Sequence, residues 1–259
     1  MPVSGGNTNR HGGHTLCIEV TSADRSVVLI DGGTGITRLH RNGATGGATE
    51  YHVFLTHYHW DHIQGLLFFR PLYDESNTFT FYGHQWDTMS SKDAIEGALR
   101  PPWFPVSIQD TAAHKTYVTI SDTVLEVGDL KITAAPLHHP QGVTAYRIDG
   151  PKHSVVVATD CERGDQEADE TLRRLATGAD TLIHDAQYSP AEYEDHYVGW
   201  GHSTWAQAVQ AAQDAGVKRL ILVSHDPARN DDEIDALVER ARGEFADTTA
   251  AYEGMQLEL

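Results

Sequence analysis

The sequence predicts an α+β fold, a four-layer αββα sandwich of two sheets with helices outside, built as one domain over residues 1–259. Three observations predict it. Short apolar, β-branched runs recur in both halves of the chain, segments of helical periodicity accompany them, and no Pro/Gly/Ser-rich linker divides the halves. A chain of 259 residues is long for a small domain, but sandwich folds reach this size as one unit.

In the first half, Leu16–Val20, Val27–Ile30, Val53–Thr56 and Thr78–Tyr82 read as buried strands with functional residues at their ends. A helix is expected after His62, where Ile63, Leu66 and Leu67 share one face, until Arg70-Pro71 breaks it. Residues 85–116 are less regular. They offer a short helix near Asp93–Leu99 and then Arg100–Val106, which three prolines keep out of helix or central sheet. The second half restarts the strand pattern at Val124–Val127, Leu130–Ala134, Thr144–Ile148, Ser154–Thr159, Thr181–His184 and Leu220–Ser224. Its helices are expected at Ala168–Ala176, Thr204–Ala215 and Asp231–Arg242, the middle one capped by Ser203 or Thr204 and stopped by Gly216.

Asp and Glu number 37 against 19 Lys and Arg, and the resulting charge of −18 repels a long polyanion over most of a surface. Extended nucleic acid is therefore not the expected partner. A small anionic substrate stays open, because bound divalent cations dominate the local field of a site. Two cysteines, Cys17 and Cys161, are too few for a disulfide scaffold, and no leader or membrane-length apolar run is evident, so a cytoplasmic setting is expected.

The unusual number is 16 histidines, and they cluster where chains of this pattern do chemistry. In His57-Tyr58-His59-Trp60-Asp61-His62 an apolar strand ends in four potential ligands within six residues. His57 and His59 alternate on extended backbone and can point the same way, while Asp61 and His62 open the next turn and address a neighbouring point. Two adjacent metals can be held this way. Imidazole with carboxylate suits Zn²⁺, and Mn²⁺ or Fe²⁺ accept similar sets.

The hexapeptide resembles the His-x-His-x-Asp-His signature of the metallo-β-lactamase superfamily, matched by His57, His59, Asp61 and His62. The resemblance implies further ligands at later strand ends. One is His139 in Leu137-His138-His139-Pro140, with His138 as the rival reading. Another is Asp160 after Val155–Thr159, as the carboxylate shared by both metals; a helix cap is its bland alternative, and Cys161 is a competing ligand because some relatives use cysteine there. The last is His225 after Leu220–Ser224. By resemblance, His57, His59 and His139 take one metal, Asp61, His62 and His225 the other, and Asp160 both. Such a pair supplies a hydroxide nucleophile at neutral pH, which Asp61 would also orient. Asp31, in an Asp-Gly-Gly turn, either supports the site from behind or simply caps its turn.

The resemblance runs from Gly12 to Pro227 and is closest to tRNase Z-like phosphodiesterases. Gly201-His202-Ser203-Thr204 resembles that branch's His-Ser-Thr motif, whose histidine works at the scissile phosphate; the bland alternative is a helix-entry residue. His184-Asp185 resembles a companion segment that braces this wall. Relatives that process tRNA carry an RNA-binding arm between the third ligand histidine and the shared aspartate, and the 139–160 interval has no room for one. A small phosphodiester, above all a cyclic nucleotide, is the substrate the resemblance implies, with a homodimer as the expected assembly. An acyl or lactone hydrolase on the same metals, or a nucleotide-sensing module without turnover, are the rival readings. Trp103 and Phe104 either close a pocket and stack on a base or plug the core.

Overall fold

The computed structural model describes residues 1–23, 25–41 and 49–258. The chain divides into two compact units. The first holds residues 1–2, 14–121 and 126–130, and the second holds residues 3–13, 122–125 and 131–259.

The first unit is built on a five-stranded sheet in chain order: β1 (Ile18–Thr21), β2 (Val27–Ile30), β3 (Glu50–Phe54), β4 (Thr78–His84) and β5 (His114–Ile120). Only β1 and β2 are antiparallel; β2 through β5 run parallel. Parallel strands must be reached by crossovers, and these carry α1 (Ile36–Arg41), α2 (Trp60–Ile63) and α3 (Ser91–Ala98). Val27, Leu29, Val53, Phe79 and Phe81 meet Ile63, Leu66, Ile95 and Ile108 in one core, with Tyr51 stacked on Phe79 at 4.6 Å. Parallel order places the C-terminal ends of β2 and β3 side by side, because Ile30 pairs with Phe54. Asp31 and the His57–His62 motif therefore leave the sheet at one edge.

The second unit carries most of a seven-stranded sheet: β6 (Thr123–Val127), β7 (Leu130–Leu137), β8 (Val143–Asp149), β9 (Ser154–Ala158), β10 (Thr181–Asp185), β11 (Arg219–Val223) and β12 (Thr248–Ala250). The strands stand in the reverse of chain order, with β9 to β12 parallel. Register aligns Ala158 with His184 and His184 with Leu222, so Asp160, Asp185 and His225 also emerge at one edge. Ligand-bearing groups gather at this end of parallel strands in open sheets generally. The helices are α4 (Gln166–Ala176), the short α5 (Pro190–Glu192), α6 (Trp205–Ala215) and α7 (Asp231–Glu244). Leu172, Ala208, Ala212, Leu237 and Val238 pack with Val156, Leu182 and Leu222 into a second core.

The helix starts follow local chemistry. Thr204 caps α6 and Asn230 caps α7, each closing a capping box with Gln207 or Glu233, a motif worth ~1 kcal/mol per cap. Gly216 ends α6 at φ +65°, as its position after the last apolar residue predicts.

Several expectations need correcting. The helix expected after His62 begins at Trp60, ends at Ile63 and gives way to 3₁₀ turns at Leu66–Phe68 and Arg70–Tyr73. Gly65 packs so closely on Gly33 that a Cβ would lie 2.1 Å from its carbonyl oxygen, and Pro71 cannot supply a helical donor. Strand β3 stops at Phe54 instead of Thr56, because the Thr56 amide turns to the Asp31 carboxylate. Strand β5 went unread: its His, Lys and three Thr/Tyr hydroxyl residues break up the apolar run that marks its neighbours.

Candidate functional site

In the first unit the edge of the sheet is organised by Asp31, fully buried and at φ +62°. Its Oδ1 accepts the Thr56 amide at 2.8 Å, and its Oδ2 accepts both the Thr56 hydroxyl at 2.8 Å and His62 Nδ1 at 2.7 Å. Burial raises the Asp31 carboxyl above the ordinary aspartate range, and His62 and Thr56 pull it back. With the Nδ1 proton given to Asp31, His62 keeps its Nε2 lone pair for a metal. The Thr56 hydroxyl, having donated to Asp31, accepts from His57 Nδ1 at 3.0 Å and leaves that ring the same tautomer. The rings of His59 and His62 lie 4.4 and 4.2 Å from that of His57, centroid to centroid. Asp61 is half-buried on α2, its Oδ2 3.2 Å from the Met1 amino group. Asp31 thus supports the motif from behind and does more than cap a turn.

The second unit repeats the logic. His139 is buried while His138 is exposed, and His139 Nδ1 donates to the Gly201 carbonyl at 2.7 Å, so Nε2 is the nitrogen that would address a metal. Asp160 is held at φ +50°, its Oδ1 accepting from the Thr159 and Ser224 hydroxyls at 2.7 Å each. Asp165, not Asp160, caps the following helix. Cys161 points into the core, its thiol donating to the Ala158 carbonyl, and burial beside Asp185 and Asp160 pushes that thiol well above its ordinary value. It is a poor thiolate. Ser224, at φ +56°, turns the chain into His225. Left-handed backbone at a non-glycine residue costs of order 1–3 kcal/mol, and Asp31, Asp160 and Ser224 all place it at strand ends where ligand-type side chains are aimed.

The test of whether these residues suit metal falls on His225. Both of its ring nitrogens are buried without a hydrogen-bond partner among the described residues. Burial, with His11 and Arg229 nearby, lowers its pKa to about 4, so at neutral pH it is the uncharged imidazole a metal requires. A buried, neutral imidazole with both nitrogens unspent fits a divalent cation.

His202 stands beside this set. Its Nδ1 lies 2.6 Å from Asp185 Oδ2, while Asp185 Oδ1 accepts the Ser203 amide at 2.8 Å. Burial pushes the Asp185 carboxyl up to about 6 against the pull of His202. Asp160, Asp185 and His202 bring ligand-type atoms within 4.8 Å of one another. Thr204 caps α6, so His202 is not merely the residue that enters the helix. The sequence named the His184-Asp185 segment as a brace but not Asp185 as the partner of His202, and it assigned nothing to Thr56, Ser224 or the Gly201 carbonyl.

Trp103 and Phe104 part company. Phe104 packs on the first unit's core and meets Phe68 edge-on at 5.2 Å, whereas Trp103 is 65% exposed and faces Trp60 at 6.4 Å. Trp60, itself half-exposed, lies between His59 and Asp61 in the ligand motif.

A family model described as a beta-lactamase superfamily domain matches residues 27–225. A ribonuclease Z from Synechococcus sp. (strain CC9311) is 30% identical over 270 residues, covering 80% of this chain and 81% of that protein. The ribonuclease Z of Bacillus licheniformis is 24% identical over 299 residues, covering 95% and 92%. Among solved structures, the metallo-beta-lactamase fold protein YhfI from Bacillus subtilis superposes with a TM-score of 0.71 at 22% identity, over 96% of this chain and 93% of that one. The likeness of these two folds agrees with the α+β architecture of two sheets with helices.

Proposed function

This chain belongs to the beta-lactamase superfamily, on its ribonuclease Z-like branch, and from that membership we propose a two-metal hydrolase of small phosphodiesters, with cyclic nucleotides as its substrate class. The observation that carries the proposal is the His202–Asp185 pair at 2.6 Å, beside Asp160 and outside the histidine ligands. An acyl hydrolase would use the same metals but would not need His202 to meet a phosphate. The ligand assignment is His57, His59 and His139 for one metal, Asp61, His62 and His225 for the other, and Asp160 for both. Zn²⁺ suits these imidazoles and carboxylates, and Mn²⁺ is the alternative. When bound, the metals supply Lewis acidity and a nucleophile at neutral pH. Asp61 would orient that nucleophile. As the P–O bond breaks, His202 Nε2 gives its proton to the departing oxygen, while Asp185 holds Nδ1 and stabilises the imidazolium form.

The ribonuclease Z relatives are ribonucleases by name, so RNA is the nearest competing substrate. Two features favour a small one. The chain between His139 and Asp160 contains only the β8–β9 hairpin, and the net charge is −18. One domain, a homodimer and a cytoplasmic location belong to the same proposal. Cys17 and Cys161 are both free thiols, in keeping with a reducing compartment, and no described helix is long and apolar enough to cross a membrane.

The decisive assay offers Zn²⁺- and Mn²⁺-loaded protein a panel of cyclic nucleotides, bis-para-nitrophenyl phosphate, a lactone and a precursor tRNA. Turnover of a cyclic nucleotide at least tenfold above the lactone and the tRNA is the expected result. Preference for the lactone or for the tRNA overturns the substrate class, and metal-loaded protein inert to all of them favours a sensing module.

The split between Trp103 and Phe104 gives a second expectation. Stacking a base on an exposed indole is worth ~1–3 kcal/mol, so Trp103→Ala should raise KM for a nucleotide by about 5- to 150-fold and leave KM for the chromogenic diester nearly unchanged. Its melting temperature should barely move. Phe104→Ala should instead lower the melting temperature and affect both substrates alike. If Trp103→Ala behaves like Phe104→Ala, the stacking role is withdrawn.

A further inference from the structure

We infer that Glu162 is a positioning residue that sets both the tautomer of His139 and the seat of His202, through one buried carboxylate shared by three donors of the 193–201 loop. The inference rests on the proposed work of His139 and His202.

Glu162 follows Asp160 by two residues and is 6% exposed. Its Oε1 accepts the Tyr193 hydroxyl and the Gly199 amide, each at 2.6 Å, and its Oε2 accepts the Gly201 amide at 2.8 Å. Its own amide donates to the His138 carbonyl at 2.9 Å. One residue therefore ties the loop of His139, the loop of Asp160 and the loop that leads into His202. A carboxylate accepting several N–H and O–H donors makes short, charge-assisted bonds, which a neutral side chain cannot reproduce.

The loop it holds has little freedom to settle elsewhere. Gly199 and Gly201 adopt φ +85° and +88°, which side chains resist, and a Cβ at Gly201 would come within 2.3 Å of His139 Nδ1. That closeness lets the Gly201 carbonyl accept from His139 Nδ1 at 2.7 Å. The carbonyl belongs to the peptide joining Gly201 to His202, so the plane that fixes the His139 proton is also the plane from which His202 departs. On the far side, the Ser203 hydroxyl donates to the Cys161 carbonyl at 2.6 Å. His202 is thus bracketed by bonds to Cys161 and Glu162, adjacent residues beside Asp160.

Glu162→Gln tests this in the full chain. Glutamine offers one acceptor oxygen, and its amide group faces donors it cannot satisfy. In metal-free protein, amide exchange at Gly199 and Gly201 should accelerate at least ~10-fold while Leu182 and Ile183 in β10 keep their protection. The NMR signal of the His139 Nδ1 proton should broaden. With metals restored, kcat should fall about 10- to 100-fold with KM changed less than about threefold, the pattern of a misplaced working group. Unchanged exchange at Gly199 and Gly201 overturns the inference, as does a loss of protection shared equally by β10, which would make Glu162 a general stabiliser. Should the Gln variant fail to fold, Glu162→Asp, whose shorter carboxylate cannot span all three donors, is judged by the same exchange ratio. The exchange readout needs no substrate. A correct exchange pattern in a protein inert toward phosphodiesters counts against the proposed function and leaves the positioning role standing.

Discussion

His202→Ala is expected to keep its metals and to lose about 10²- to 10⁴-fold in turnover, the range for removing a positioned acid–base group. The geometry separates His202 from the ligands. Its Nδ1 is committed to Asp185, and Asp185 is itself fixed by full burial and by the amides of Ser203 at 2.8 Å and Gln187 at 3.2 Å. A ring held by one nitrogen in this way presents the other to a substrate. Asp185→Asn should lose turnover to a similar degree, because an asparagine amide facing Nδ1 favours the opposite tautomer and cannot stabilise an imidazolium. Elemental analysis and steady-state kinetics on the two variants decide the matter together. Loss of a metal equivalent in His202→Ala would assign His202, with Asp160 and Asp185, to ligation, and full activity would return it to the role of a helix-entry residue.

What the sequence disclosed was the set of groups that sit at strand ends. Val155–Thr159 running into Asp160, Leu220–Ser224 into His225 and Phe54–Thr56 into His57 are each an apolar run followed by a ligand-type side chain, and that pattern is local. The choice of His139 over His138 came from the register of the family segment it resembles; the structure buries His139 and exposes His138. Other parts depended on contacts between distant residues. Asp31 reaches Thr56 and His62 across 25 and 31 positions because parallel register brings the ends of β2 and β3 side by side, and Asp185 reaches His202 across 17 because the chain before α6 returns to the end of β10, bridging Tyr188 to Thr204. No spacing rule encodes such distances. Glu162 escaped notice because a single acid after an Asp-Cys pair looks like any helix-entry residue, and its significance lies in three donors more than 30 positions away. The left-handed backbone at Asp31, Asp160 and Ser224 was equally hidden, since Asp and Ser occur in ordinary turns as readily as in strained ones.

Loss of Asp160, the carboxylate proposed to serve both metals, should have the broadest effect on metal. Wild-type protein reconstituted with Zn²⁺ or Mn²⁺ is expected to hold near two equivalents per chain, and Asp160→Ala distinctly fewer, with phosphodiester turnover falling by orders of magnitude. The side chain is built for one task. Thr159 and Ser224 both donate to Oδ1, which fixes the carboxylate plane, and the backbone accepts φ +50° to do it. Thermal shift supplies an independent readout. A ligand at 100 times its dissociation constant stabilises a fold by ~2.7 kcal/mol, so metal should raise the melting temperature of wild type clearly and that of Asp160→Ala much less. Cys161 provides the control, as the neighbouring residue that could otherwise take the bridging role. Its thiol is buried, bonded to the Ala158 carbonyl and resistant to ionisation, so Cys161→Ala should keep both equivalents and most of the activity. Two equivalents retained in Asp160→Ala, with one lost in Cys161→Ala, would move the bridge from the carboxylate to the thiolate and require the strand-end assignment to be redrawn.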